Sequence, residues 1–156
     1  MRGAVAGLLG GLLAAGAMSL MHTVLAEGDS EGSPSTPPDD PTVKVAAAAT
    51  RLVGYRLGEA EKAPAGSIVH YAFGAAVGAF YGAVAEIVPR VTAAVGFPFG
   101  VAVWLGAHVV AVPALGLGDP PTRRPIREEA EEFGLHAVYG VTTELVRRRL
   151  LLLRLA

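Results

Sequence analysis

The stretch 66–88 reads GSIVHYAFGAAVGAFYGAVAEIV, and it decides the fold. It has 23 residues and one charged side chain, Glu86, whereas about 20 apolar residues are enough for a helix to cross a bilayer. Gly74, Gly78 and Gly82 recur at intervals of four residues, and small residues at this spacing let two helix backbones approach closely. The stretch therefore predicts a membrane helix that packs tightly against a neighbouring helix.

Three further hydrophobic regions flank this stretch. Residues 3–26 and 92–117 contain no charged side chain, and residues 127–153 contain an apolar run closed by arginines, whose side chains can snorkel to the membrane surface. We therefore predict an all-α fold, a polytopic membrane protein built as a four-helix transmembrane bundle. Its spans lie at about 3–26, 66–88, 92–117 and 127–153 within a single domain, 1–156.

The first region also has features of a secretory signal peptide, because Arg2 precedes an apolar stretch that ends in Val24, Leu25 and Ala26. The apolar core of a signal peptide runs for only about 7–15 residues. The uncharged run here is longer, and it contains the helix-packing spacing Gly7-x-x-x-Gly11. We expect a retained span, with a cleaved signal peptide as the alternative.

Two polar segments separate the first two spans. Residues 27–42 are rich in Gly, Ser, Pro and acids, which predicts a flexible acidic loop. Residues 43–62 place apolar and charged side chains at helical spacing, with Thr42 as the expected N-cap. This pattern predicts an amphipathic helix at the membrane interface, although a short helix that packs on the bundle would show the same pattern.

Composition excludes several classes of protein. The chain has 156 residues, 52% of them hydrophobic, with a net charge of −1 and no cysteine. Thiol catalysis, disulfides and cysteine metal sites are therefore excluded, and the charge balance argues against a nucleic-acid partner. Neither an HExxH motif nor a Ser-His-Asp or paired-carboxylate arrangement is recognisable, so we expect a protein that is not an enzyme and has no cofactor.

Charge near the span ends predicts the orientation. With four spans, both termini lie on one side, and that side carries Arg2, Arg90 and the cluster Arg147, Arg148 and Arg149. Lysine and arginine near span ends favour the cytoplasmic side. By count the two sides are nearly equal, six basic residues against seven. The dense arginine cluster and the short turn at Arg90 nevertheless favour cytoplasmic termini, in a protein surrounded by the lipid bilayer.

The four histidines fall in four different predicted spans, at His22, His70, His108 and His136. At ~1.5 Å rise per residue, all four belong to the half of the bundle that faces the two long loops. Ionisable side chains are costly inside a membrane and are by default a functional hypothesis. An isolated histidine near a helix end, however, often only hydrogen-bonds a neighbour.

Acidic residues extend this pattern on the last span. Glu128 and Glu132 precede His136 at intervals of four, so that Glu132 and His136 share a helix face. We predict a proton or ligand cluster of His70, His108, His136, Glu128 and Glu132. Two further acids, Glu86 and Glu144, lie in the arginine-rich half, where they pair with Arg90 and Arg148 or form part of a proton route.

Proline marks the surroundings of His108. Pro113 lacks an N–H and leaves the carbonyl of Val109 without its helical partner. This carbonyl follows His108 directly. We expect a kink here, either as a local opening beside the histidine or as a feature of packing.

The region 70–150 resembles the YagU family of small bacterial inner-membrane proteins. The resemblance covers about half the chain and implies a multi-pass inner-membrane protein associated with acid resistance, with no established biochemical activity. The residues that carry it are His70, Gly82 to Glu86 with Pro89, His108, Pro113, Gly116, Leu117, Pro120, Pro121, Glu128, Glu132, His136, Glu144, Arg147 and Arg148.

Three functions are compatible with these observations. The first is a membrane protein that responds to or conducts protons through the histidine cluster. The second is a metal- or haem-binding membrane protein, with His108, His136 and Glu132 as candidate metal ligands. The third is a structural subunit, a homo-oligomer or a partner of another membrane protein, in which Gly74, Gly78 and Gly82 pack against another helix.

Overall fold

The computed structural model describes residues 1–28 and 40–153, with side chains described from residue 40 onward and up to residue 25 in the first helix. This part of the chain is all-helical and contains no strand. Most of the acidic loop predicted over 27–42 lies outside the described residues. The helices are α1 (Arg2–Gly28), α2 (Pro41–Leu52), α3 (Glu59–Ile87), α4 (Phe97–Val103), α5 (Val112–Ala114) and α6 (Ile126–Leu152), with 3-10 segments at Pro89–Gly96 and Pro121–Arg123 and a π-helical stretch at Trp104–Ala111.

Three stretches of the described chain are long and apolar enough to cross a membrane. They are Arg2–Leu25, Glu59–Ile87 and Pro89–Ala114. The region predicted as a fourth span, 127–153, forms α6, which does not reach that hydropathy. Its first turns are acidic, and Glu144 with three arginines interrupts its apolar surface. The prediction of a membrane protein is thus supported, whereas the count of four spans is not.

Helices α1 and α3 cross with their backbones in contact. A Cβ atom added at Gly78 would lie 2.8 Å from the Cα of Gly11, and one added at Gly82 would lie 3.0 Å from the Cα of Gly7. A Cβ on Gly74 would lie 2.9 Å from the Cβ of Ala15. These separations leave no room for a side chain. The helix that packs against this glycine row is therefore the chain's own α1.

Helix α6 contacts both α1 and α4. Gly10 of α1 faces the backbone of Thr143, where an added Cβ would lie 2.6 Å from the carbonyl oxygen. Toward α4, a Cβ on Gly140 would lie 2.7 Å from the Cα of Gly100. Both contacts bring α6 close enough for its buried side chains to reach neighbouring helices.

The predicted amphipathic helix over 43–62 is wrong in its bounds. Helix α2 ends at Leu52, and Gly54 adopts a positive φ of 77°, a conformation that glycine accepts at little steric cost. The remaining residues, from Glu59 onward, belong to α3. The N-cap is Asp40 rather than Thr42, because the Asp40 carboxylate accepts a hydrogen bond from the Thr42 amide at 2.8 Å. Helix α2 packs on α3 through its buried side chain Val43.

The third hydrophobic region is not one regular helix over 92–117. Pro89–Gly96 is a 3-10 segment with non-helical dihedral angles at Ala93, Ala94 and Val95, so the α-helix begins only at Phe97. Gly96 turns the chain with a φ of 82° and lies against the Gly140 backbone. Hydropathy does not reveal this bend, because residues 91–96 are all uncharged.

Candidate functional site at the histidine–glutamate cluster

The π-helical stretch Trp104–Ala111 carries His108 near its middle. Pro113 follows it by two residues and cannot donate a hydrogen bond to Val109, while its ring would clash with that carbonyl in an α-helix. A wider helical turn relieves this clash. Such π-helical turns are rare in proteins, and those that occur are often found at functional sites. The kink expected next to His108 therefore takes the form of a widened helix.

His108 faces one anionic and one cationic side chain with the same ring nitrogen. Its Nε2 lies 3.1 and 3.2 Å from the two carboxylate oxygens of Glu129 and 3.3 Å from Arg124 Nη1. The His108 and Glu129 side chains are each only 13% exposed. A neutral ring with a free Nε2 accepts from Arg124, whereas a ring that carries a proton on Nε2 donates to Glu129. The presence or absence of a proton on Nε2 thus selects between the two partners.

The carboxylate of Glu132 lies between the two histidine rings. Its Oε2 is 4.0 Å from Nδ1 of His108 and 3.9 Å from Nδ1 of His136. The two ring centroids are 6.1 Å apart. Nδ1 of the buried His136 is also 2.8 Å from the backbone oxygen of Glu132, to which its N–H donates. His108, His136 and Glu132 therefore form one electrostatically coupled group.

Arg124 and Glu129 were missing from the predicted cluster. Arg124 donates to the carboxylate of Glu128 at 3.3 Å, so Glu128 reaches His108 only through this arginine. Glu129 precedes His136 by seven residues, and residues three, four and seven apart share a helix face. That spacing is a signal that the sequence contained. Arg124 lies in the proline turn before α6, and only tertiary structure brings it to His108.

The other two histidines lie apart from this pair. Nε2 of His70 is 3.3 Å from the backbone oxygen of Ala15, and its ring meets Tyr71 edge-on. This contact ties α3 to α1 and is the role expected of a histidine that only satisfies a neighbour. His22 is exposed on α1. Of the predicted set, the structure thus brings together His108, His136, Glu132 and, through Arg124, Glu128.

The two acids of the arginine-rich half have different partners. Glu144 is fully buried and accepts from Arg147 at 2.7 and 2.9 Å, from Arg148 at 2.5 Å and from the Tyr81 hydroxyl at 2.9 Å. Glu86 pairs with the Met1 ammonium group at 2.8 Å. The predicted pair of Glu144 with Arg148 is present. The predicted pair of Glu86 with Arg90 is not, because the start of α1 occupies the Glu86 carboxylate.

The polar residues between His136 and Glu144 do not form a continuous chain. The Tyr139 hydroxyl donates to the backbone oxygen of Gly74 at 2.6 Å, and the Thr143 hydroxyl donates to the backbone oxygen of Tyr139 at 2.8 Å. Both hydroxyls therefore end on backbone carbonyls, which cannot pass a proton onward. Within residues 40–153, no side-chain hydrogen bond links the histidine cluster to Glu144.

The candidate metal ligands are not arranged around a common point. Across residues 1–28 and 40–153, no group of three or more His, Asp or Glu side chains could hold a metal ion. Glu132 is about equally distant from both imidazoles, and Nδ1 of His136 is occupied by its own helix.

The part of the chain that matches a known family includes every residue of the cluster. Residues 32–145 match a family described as a protein of unknown function, DUF1440. The chain belongs to this family. No curated protein and no solved structure matches it. The matched region of the DUF1440 chain begins before α2 and extends into α6, so it includes His108, Glu129 and His136. The resemblance to the YagU family is supported by no named relative and stays a prediction.

Proposed function

We propose that this DUF1440 protein is a non-enzymatic membrane protein that responds to protons, and that His108 and His136 bind them. One observation carries the proposal: a single nitrogen of His108 contacts both Glu129 and Arg124. An imidazole gains its second proton at mildly acidic pH. Acidification therefore changes the partner of His108 without unfolding the protein.

The charges around His108 define what protonation does. Glu129 and Glu132 of α6 attract an imidazolium, while Arg124 of the preceding turn and a protonated His136 repel it. In the neutral tautomer with its proton on Nδ1, His108 accepts from Arg124. In the protonated state the ring donates to Glu129, and Arg124 keeps its contacts with the carboxylates of Glu128 and Glu129 at 3.3 and 3.4 Å. The turn before α6 is thereby released from the π-helical stretch.

The third hydrophobic region is the least buried of the three membrane-length stretches, which suits it to such a change. Its first part is fixed by close contact of Gly100 with the α6 backbone. The later part meets α6 through the His108 contact with Glu129 and the edge-on packing of Trp104 on Phe133. A change in the His108 contact therefore alters how the π-helical stretch packs on α6.

A response to protons is better supported than conduction of protons. The cluster ends at His136, and Tyr139 and Thr143 turn their hydroxyls to backbone carbonyls. Glu144 beyond them is held by two guanidinium groups, which oppose its protonation. Protein in liposomes should therefore pass no more protons than empty liposomes. A proton flux above that level would favour conduction if the double change His108→Ala and His136→Ala removed it without altering assembly.

Tryptophan fluorescence tests the proposal directly. Trp104 is the chain's single tryptophan, lies one turn before His108 and packs edge-on to Phe133 of α6 at 5.3 Å. We expect its emission to change between about pH 7 and 5, the range in which imidazoles titrate. His108→Gln should abolish or blunt the change, and the control His22→Gln should leave it intact. A flat profile, or equal effects of both substitutions, would contradict the proposal.

The membrane topology forms part of the same proposal. We place the protein in a bacterial inner membrane with α6 as a fourth span and both termini in the cytoplasm. The neutralisation of buried Glu144 by Arg147 and the close packing of Thr143 on Gly10 support a membrane-embedded α6. Reporter fusions at residues 30 and 120 should lie on one side, opposite fusions at both ends. A fusion at 120 on the same side as the C-terminal fusion would exclude the fourth span.

A further inference from the structure

The end of the molecule opposite the histidine cluster carries exposed arginines from three elements. Arg2 begins α1, Arg90 follows α3, and Arg148 and Arg149 lie near the end of α6. We call these four side chains the arginine face. They are separate in sequence, so their common position depends on how the helices are held together.

Two polar contacts bring the arginines of this face close together. The Met1 ammonium group bonds Glu86 at 2.8 Å, which brings Arg2 to the end of α3, four residues before Arg90. Arg148 Nη2 donates to the backbone oxygen of Thr92 at 2.9 Å. The last turns of α6 therefore lie beside the segment that contains Arg90.

The acids of this end neutralise only one member of the arginine face, Arg148. Among the described residues here they are Glu86 and Glu144. Glu86 is engaged by the Met1 ammonium and by the Gly3 amide at 2.7 Å. Glu144 is fully buried and is already matched by Arg147 and Arg148. The exposed surface therefore keeps an excess of positive charge.

Apolar side chains surround these arginines. Ile87 is 82% exposed directly before Pro89 and Arg90, and Leu152 is 77% exposed one turn after the arginines of α6. On a chain with membrane-length helices, exposed apolar residues next to exposed arginines are typical of the boundary between acyl chains and headgroups. The ligand that meets both kinds of surface is a phospholipid.

We propose that the arginine face binds the phosphate groups of anionic phospholipids. A guanidinium group forms paired hydrogen bonds to phosphate oxygens, and basic residues at the membrane surface attract anionic lipids. Three elements contribute, so a lipid bound here would hold the start of α1, the end of α3 and the end of α6 together. This function is independent of the response to protons at the other end.

Spin-labelled lipids provide the test in the complete protein. The full chain is reconstituted in phosphatidylcholine vesicles with labelled phosphatidylglycerol or labelled phosphatidylcholine, and electron paramagnetic resonance reports the motionally restricted fraction. We expect about a fivefold preference for phosphatidylglycerol, roughly the contribution of one arginine at a lipid surface. High salt should reduce this preference, because surface charges are screened.

Matched variants distinguish the face from general basic charge. The triple change Arg2→Gln, Arg90→Gln and Arg149→Gln spares the partners of Glu144 and should remove the preference. The control changes Arg51→Gln, Arg56→Gln and Arg123→Gln remove three exposed arginines at the opposite end and should preserve it. Circular dichroism verifies that both variants are folded.

Three results would overturn the proposal. The first is the absence of any preference for phosphatidylglycerol in the unmodified protein, a measurement that needs no variant. The second is an equal loss in the two triple variants. The third is displacement of labelled phosphatidylglycerol by millimolar inorganic phosphate but not by chloride of equal ionic strength, which would assign the site to free phosphate.

Discussion

Carboxylates near the two ends of α6 have very different partners. Glu144 is held by two guanidinium groups, which stay charged at every physiological pH. Glu129 and Glu132 instead face His108 and His136, whose charge depends on pH. Glutamate thus makes a permanent link at one end of α6 and a switchable link at the other, because the cationic side chain beside it differs.

Close glycine packing holds both ends in place, and breaking it should have the largest effect. Gly78→Leu places a bulky side chain where α1 and α3 touch through their backbones. We expect loss of folded protein, measured as soluble yield in detergent and thermal unfolding. Gly134→Leu is the control, since an added Cβ there meets nothing within 4 Å. Unchanged stability of Gly78→Leu would show that these helices are not in contact.

The permanent link should contribute strongly to stability. Glu144→Gln leaves Arg147 beside a neutral group in a buried position, and removal of one partner of a buried ion pair commonly costs about 3–5 kcal/mol. We expect a much lower unfolding temperature, with no change in the pH range of the Trp104 response. If Glu144→Gln instead moved that response, the two ends would be coupled.

The switchable link should respond to its two partners in opposite directions. Glu129→Gln removes an anion beside His108 and should move the Trp104 transition to lower pH by about one unit, a usual effect of a nearby charge. Arg124→Gln removes a cation and should move it to higher pH. Glu131→Gln, whose carboxylate pairs with Arg127, is the control. Shifts in the same direction would contradict the exchange of partners.

The smallest effect should come from the second acid of the arginine-rich half. The Glu86 side chain is 38% exposed, so water replaces much of what its ammonium and amide partners provide. We expect Glu86→Gln to lower the unfolding temperature far less than Glu144→Gln does. An equal decrease would mean that burial does not distinguish these two acids.

Local pattern was sufficient for much of the fold. Uncharged length predicted three stretches that are able to span a membrane, and the glycine spacing anticipated the close approach of α3 to a neighbour. The amphipathic pattern over 43–62 misled us, because its apolar and charged residues keep helical spacing across the break at Gly54. A periodic pattern reports which residues suit a helix, and it is weak at reporting where a helix stops.

The sequence by itself determined the membrane-length helices, the glycine row and the placing of His108 and His136 in the same half of the bundle, since these follow from hydropathy and from the rise of a helix. Only the tertiary structure decided which charges from different helices and turns meet. Arg124 reaches His108 across 16 residues and Met1 reaches Glu86 across 85. Such pairs depend on how helices are rotated and offset against one another, and that is set by packing over whole faces rather than by any local spacing.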